Sequence, residues 1–298
     1  MTSVPSFALA LALAAAVQTP DTVVAVNRGD RVVLEGVSGV VSVTAWSRDE
    51  LEVRGTSGNA PLRVTRAGAT LRIESDGPRR RRSLEASIRV PAWIDLEIGG
   101  SALDLGVEGV DGAIRVANVS GDVRIQDAGG TVDVRSIRGE VVVVDATGAV
   151  RASSQADDVT LRRISGSIEA HSGDGDIVLD AVESMSVRAE AQDGDVIFSG
   201  SVLDGGEYGF YLHDGDVTLE VPPTLSARVH VSTFDGEFSS EFPVRVESFS
   251  AGREFDFVLG QGSAVIEIEV FDGEIRLMSR GGRGAGGGAG AGTGAGRR

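Results

Sequence analysis

Glycine returns every nine residues through the middle of this chain: Gly112, Gly121, Gly130, Gly139, Gly148, Gly166 and Gly175, with Asp157 in the one remaining place. Two residues after these positions stand Ile114, Val123, Val132, Val141, Val150, Val159, Ile168 and Ile177, all β-branched. Four residues after them come Val116, Ile125, Val134, Val143, Ala152, Leu161, Ala170 and Leu179. The side chains between are mostly polar, among them Arg115, Arg124, Asp133, Arg151, Thr160 and Glu169. Apolar, polar, apolar after a turn former spells a short half-buried strand. A fixed short period calls for a stack whose units pack on their neighbours. Nine residues hold one strand and one turn, so two units close one flattened coil. No segment shows a period near 3.6. The chain is expected to be all-β, a parallel, β-helix-like β-solenoid with two short strands per rung of about 18–21 residues.

The corner residues show that the repeat is eighteen. Alternate corners read Gly121-Asp122, Gly139-Glu140, Asp157-Asp158 and Gly175-Asp176. The series goes on with slightly longer steps as Gly194-Asp195, Gly215-Asp216 and Gly236-Glu237, and reappears at Gly273-Glu274. The corners between are neutral: Gly112-Ala113, Gly130-Thr131, Gly148-Ala149 and Gly166-Ser167. One edge of the coil is therefore acidic at every rung, and the corner glycines of both edges are expected to take positive-φ turns. Stacked carboxylates suit Ca²⁺, which takes several hard oxygens. The doubled acids Asp174/Asp176, Asp193/Asp195 and Asp214/Asp216 are the candidate Ca²⁺ ligands. The plainer reading is turn chemistry on a charged, soluble edge. Calcium-binding β-rolls use G-G-x-G-x-D-x-U-x, and two of those glycines are missing here.

Four parts are expected along the chain. Residues 1–16 hold a short apolar run ending in Ala14-Ala15-Ala16, read as a cleaved signal peptide. Residues 17–104 form a looser N-terminal β part, with strands near Thr22–Val26, Arg31–Glu35, Val40–Ala45, Leu51–Arg54, Thr70–Glu74, Ser87–Val90 and Ile94–Ile98. Residues 105–279 are the regular solenoid, with Phe-rich Phe234–Phe257 as a lid or irregular end rung. Residues 280–298 are a flexible Gly/Ala/Arg tail, whose formal G-x-G-x-x-G lacks the strand and helix a dinucleotide site needs.

Composition narrows the chemistry. All 28 basic residues are Arg and there is no Cys, which removes lysine bases, thiol nucleophiles and Cys-based zinc. A net charge of −16 disfavours nucleic acid. His171, His213 and His230 sit at different offsets from their corners and form no H-E-x-x-H. No G-x-S-x-G occurs. Arg79–Arg82 read as a solvated loop rather than an anion-binding patch, and Trp46, Trp93, Tyr208 and Tyr211 as core or end packing rather than sugar platforms. No catalytic residue and no cofactor is assigned beyond the candidate Ca²⁺.

The segments Trp46, Val90-Pro91-Ala92, Gly112 and Gly121-Asp122-Val123, followed by G-[DE]-hydrophobic units, resemble the bacterial putative-adhesin family, a domain of unknown function built of β-strand repeats. The resemblance runs from about Val23 to Leu277. It implies an extracytoplasmic, periplasmic or cell-surface protein with no catalytic residues to carry over. The expected function is a non-enzymatic binding or assembly scaffold, with a cell-surface component, glycan or protein as partner, and self-association through its ends. The alternative is a polysaccharide lyase or hydrolase, which would need carboxylates gathered in a cleft.

Overall fold

The computed structural model describes residues 22–57, 60–75, 83–244, 246–250 and 254–281. The expected signal peptide, Arg79–Arg82 and all of the tail beyond Gly281 lie outside them. Every regular element among the described residues is a strand. In chain order these are β1 (Thr22–Ala25), β2 (Arg31–Trp46), β3 (Glu50–Ser57), β4 (Ala60–Ala67), β5 (Thr70–Ser75), β6 (Leu84–Pro91) and β7 (Asp95–Glu108). The regular repeats follow as β8 (Ile114–Ser120), β9 (Val123–Ala128), β10 (Val132–Arg138), β11 (Val141–Ala146), β12 (Val150–Ser154), β13 (Val159–Ile164) and β14 (Ile168–Ser172). The last third holds β15 (Ile177–Asp193), β16 (Val196–Asp214), β17 (Val217–Val221), β18 (Ala227–Ser240), β19 (Val246–Ser250), β20 (Glu254–Leu259) and β21 (Ala264–Ser279).

The strands form two mostly parallel columns wound from one chain. In the front column, β8, β10, β12 and β14 pair in parallel, with Val132 opposite Ile114, Val150 opposite Val132 and Ile168 opposite Val150. In the back column, Val141 pairs with Val123 and Val159 with Val141. Each step is eighteen residues, so the solenoid period read from the corners is the register of the sheets. The longer strands β2, β7, β15, β16, β18 and β21 serve both columns, front in one half and back in the other. β7 is unbroken across residues 104 and 105.

The β-branched positions fill the interior. Ile114, Val123, Val141, Val159 and Ile177 are each 0% exposed, and they belong to one apolar cluster running from Val26 to Leu277. Each such side chain contributes about 1.5–3 kcal/mol on burial. Larger rings thicken the core toward the C-terminal end, where Phe198 meets Phe210 and Tyr208 edge-on.

Both ends depart from sequence order. At the C-terminal end the series was expected to continue from Gly215-Asp216 to Gly236-Glu237. Instead β21 lies between them: Asp214 and Val217 pair with Asp272 and Ile275 of β21, whose other edge pairs with β18. The order in space is thus Asp216, Glu274, Glu237. The physical reason is that β20 and β19 fold back antiparallel on β18, closing the edge β18 would otherwise expose. The Phe-rich segment divides between the end of β18, which pairs in register with β21, and this antiparallel cap. The N-terminal end mirrors the arrangement. β2 sits between β7 and the pair β5 and β6, and antiparallel β3, β4 and β1 close the stack. Strand β4 had no counterpart in the sequence reading, because its alternation of Leu62 and Val64 with Arg63 and Thr65 is only four residues long before Arg66 breaks it.

Candidate functional site

The acidic corner is built by its own carboxylates. Beyond each corner glycine the chain turns, and the next backbone N–H points along the solenoid axis. The aspartate one rung earlier receives it. Asp104 Oδ1 accepts from Asp122 N–H at 3.2 Å, and Asp122 Oδ1 from Glu140 N–H at 3.1 Å. Asp158, Asp176 and Asp195 accept in the same way from Asp176, Asp195 and Asp216, each at 2.9 Å, and Asp216 accepts from Glu274 at 2.8 Å. Asp157, the exception among the glycines, accepts Gly139 N–H through Oδ2 at 2.7 Å. A charged acceptor makes such bonds stronger than neutral ones.

This geometry divides the six candidate calcium ligands. Asp176, Asp195 and Asp216 each hold a backbone N–H, and Asp216 also pairs with Arg276 at 3.0 Å. Asp193 and Asp214 stand in register on the near side of the corner, and that column continues to Asp272 and Asp235. Asp174 donates its backbone N–H to Gln155 O at the same edge. Among the described residues, no three His, Asp or Glu side chains converge as a metal-holding group.

Left-handed backbone marks this edge only in part. Gly121, Gly139, Gly194, Gly215 and Gly273 have positive φ, as expected, but Gly175, Gly236 and the neutral-corner glycines Gly112, Gly130, Gly148 and Gly166 do not. There the constraint is close approach: a Cβ on Gly148 would lie 2.0 Å from Gly130 O. The sequence reading missed a third corner, where Asp127, Asp145, Arg163 and Ala181 all have φ between 53° and 57° at intervals of eighteen. Arg163 donates to Asp145 there at 2.5 and 2.7 Å, and holds its carboxyl below the ordinary carboxylate value.

The outer face of the front column carries a charge ladder. Glu97, Arg115, Asp133, Arg151, Glu169 and Arg188 lie side by side on successive strands, alternating in sign. After Gly209 the row resumes with Glu267, His230 and Asp256. Arg151 meets Glu169 at 2.8 Å, and each opposite-charge neighbour adds about 0.2–1 kcal/mol. Next to Glu267, the Tyr211 hydroxyl donates to its carboxylate at 2.6 Å. Burial first, then that carboxylate, pushes the phenol pKa up to about 12.

Beside this ladder the front face opens into a groove of about 570 Å³. It exists because the adjoining row has small residues at Gly99, Ala117 and Ser153, alternating with Arg135 and His171. Val119 and Ile137, 40% and 46% exposed, form its apolar wall. Among the described residues no carboxylate lines it. Its floor is backed by Asn118 and Ser136, whose Oδ1 and Oγ are buried without a hydrogen-bond partner. The signal for this site is visible only at eighteen-residue spacing, where Val119 and Ile137 occupy one outward position.

The remaining singled-out residues lie apart. His171 sits at the groove rim, His213 at the acidic corner, and His230 in the ladder against Asp256 at 2.8 Å. Tyr208 is buried, donating to Ser184 O at 2.6 Å and accepting Leu203 N–H at 2.8 Å. Trp46 and Trp93 pack at the N-terminal end, their indoles donating to Glu50 O and Asp49 Oδ1.

Residues 114–278, more than half of the chain, match the Toastrack DUF4097 family. The chain belongs to that family. Its repeats supply the regular solenoid from β8 to the end of β21. Among solved structures, a putative adhesin from Bacteroides fragilis NCTC 9343 is 15% identical, over 88% of this chain and 100% of its own, with a TM-score of 0.44. A putative adhesin from Parabacteroides distasonis ATCC 8503 is 11% identical over 87% and 96% of the two chains, TM-score 0.44. A putative lipid binding protein from the same organism is 10% identical over 88% and 98%, TM-score 0.41. No curated protein matches the chain.

Proposed function

We propose that this family member is a non-enzymatic binding scaffold of the cell envelope, working outside the cytoplasm after loss of residues 1–16. Residues 17–104 and 105–279 would then be its two β parts and 280–298 an appended tail. One observation carries the reading: an open groove with exposed Val119 and Ile137 on a face otherwise lined by charges of alternating sign. Apolar side chains held in water on a rigid sheet gain free energy when a partner covers them. A groove of this volume falls within the range that takes small ligands or a few partner side chains. Among the described residues its walls offer an arginine, a histidine and hydroxyls but no carboxylate, which suits binding better than acid–base chemistry on a glycosidic bond. Among the described residues no helix is long and apolar enough to cross a membrane.

The test uses fluorophore-labelled mature chain titrated onto isolated bacterial envelopes, beside Val119→Glu and Ile137→Glu. Both side chains are at the surface, so the variants should keep the parent's thermal midpoint. Saturable binding weakened about tenfold or more in both variants is expected, since about 1.4 kcal/mol is tenfold in affinity. Undiminished binding in both would remove the groove from the function. Breakdown of an acidic polysaccharide by the purified chain would replace a scaffold with an enzyme.

A further inference from the structure

At the other end of the front face, three rings stand one above another. The His213 and Phe271 rings are 4.9 Å apart and inclined at 26°, and Phe271 and Phe234 are 4.8 Å apart and nearly parallel at 4°. Phe234 is 72% exposed and Phe271 48%, whereas Phe198, Phe210 and Phe257 are fully buried. Stacking each ring on the next leaves their edges, and the apolar area there, facing water.

Each ring precedes an aspartate. Asp214, Asp272 and Asp235 follow His213, Phe271 and Phe234 directly, pair in register, and are extended by Asp193. All four are exposed, on strands about 4.8 Å apart. Across the corner, Asp195, Asp216 and Glu274 are engaged by backbone N–H groups or by Arg276. No arginine or histidine pairs with Asp193, Asp214 or Asp272 among the described residues. A row of rings therefore runs beside a row of carboxylates, three of which, Asp193, Asp214 and Asp272, have no arginine or histidine partner among the described residues.

We propose that this aromatic and acidic edge docks an extended polypeptide segment of another molecule that carries arginine or lysine at alternate positions. Cations are drawn both to carboxylates and to aromatic rings, and the stems of these side chains cover apolar surface. The spacing agrees. Asp193 to Asp272 spans two strand separations, about 10 Å, and an extended peptide presents same-face side chains about every 6.7 Å, so two neighbouring cations reach these three carboxylates. Nucleic acids, anionic membranes and acidic glycans carry the wrong sign. A neutral apolar partner would bury carboxylates without counter-charges. This site lies apart from the groove and stands or falls independently of it.

The experiment titrates mature chain into fluorescein-labelled Arg-Leu-Arg-Leu-Arg and follows anisotropy, with Glu-Leu-Glu-Leu-Glu as control. Binding of the arginine peptide alone is expected, weakening about tenfold from ~20 to ~200 mM salt as the Debye length shortens. Two exposed-surface variants, Phe234→Ala with Phe271→Ala and Asp214→Asn with Asp272→Asn, should each weaken it about tenfold with unchanged thermal midpoints. Failure to bind, or binding unaltered in either variant, overturns the proposal. Truncation after Gly281 that tightens binding about tenfold would identify the chain's own arginine-bearing tail as the occupant, overturning the assignment to another molecule.

Discussion

Asp195 Oδ1 accepts the backbone N–H of Asp216 at 2.9 Å, joining two residues 21 apart in sequence on neighbouring rungs. The same bond recurs along the acidic edge, so these carboxylates cap N–H groups that no carbonyl reaches. Replacing Asp195 by Ala should remove about 1.5 kcal/mol, the low end of the range for a hydrogen bond to a charged group because the residue is exposed. Asn retains the acceptor and removes one repelling charge, so Asp195→Asn should stay within about 0.5 kcal/mol of the parent. Denaturant unfolding in EDTA and again in millimolar Ca²⁺ checks both. An equal loss for Asp195→Ala in the two solutions is expected. A loss seen only with Ca²⁺ would make the residue a metal ligand instead.

Gly139 separates two kinds of corner glycine. Its φ is 135°, and a Cβ would lie 2.1 Å from the Gly121 carbonyl oxygen. Gly68 has φ near 61° with nothing within 4 Å of a Cβ. Gly139→Ala therefore meets both backbone strain and a backbone clash and should destabilise by about 3 kcal/mol or more. Gly68→Ala meets strain alone, about 1–2 kcal/mol. Similar unfolding midpoints for the two would refute the close-stacking argument.

His230 ties β18 to the capping strand β20. Its ring nitrogen lies 2.8 Å from Asp256 Oδ1, and that hydrogen bond raises its pKa above the ordinary imidazole value. Glu254 and Glu267 face the same ring and act in the same direction. A raised folded-state pKa means the contribution is complete below the unfolded value near 6.5 and is lost as pH rises through the folded one. The C-terminal cap should thus loosen as pH climbs from slightly acid to slightly alkaline. Amide exchange of β20 followed over that range should show it, and His230→Gln should abolish the pH dependence. An NMR titration placing the imidazole below its ordinary value would contradict the ion pair.

Much of this architecture is legible because one residue class reports it. The glycine period of nine, with acids at every second corner, encodes two columns and an eighteen-residue register. Buried Val132, Val150 and Ile168 stand where that register places them. Other features need the stack to be assembled first. Arg115, Asp133 and Arg151 read as mere polar spacers until strand pairing sets them side by side. Val119 and Ile137 look like ordinary strand residues until both face outward, and Phe234 and Phe271 are 37 residues apart yet stacked. The inserted positions of β2 and β21 carry no local mark. Their apolar pattern matches any rung, and only the antiparallel caps decide where each fits.

The insertion of β21 has a direct consequence for folding. β21 pairs with β16 and β17 along one edge and with β18 along the other, so residues made late in synthesis join rungs made earlier. It buries Ala264, Ile266, Ile268, Val270, Ile275 and Leu277. The five larger side chains at about 1.5–3 kcal/mol each amount to roughly 10 kcal/mol, with Ala264 adding less than about 1 kcal/mol, comparable with the whole stability of a typical domain. A chain ending at Ser263 should therefore fail to dock β18 and its cap. Because a solenoid holds together by nearest-neighbour contacts, β8 to β14 should remain folded. Hydrogen exchange with mass spectrometry would show protection retained from Ile114 to Ser172 and lost from Ala227 to Leu259. A chain ending at Gly281 should match the parent throughout. Full protection of β18 in the shorter chain would mean that β18 can pair directly with β16 and β17, and that β21 is not the strand holding the end of the solenoid.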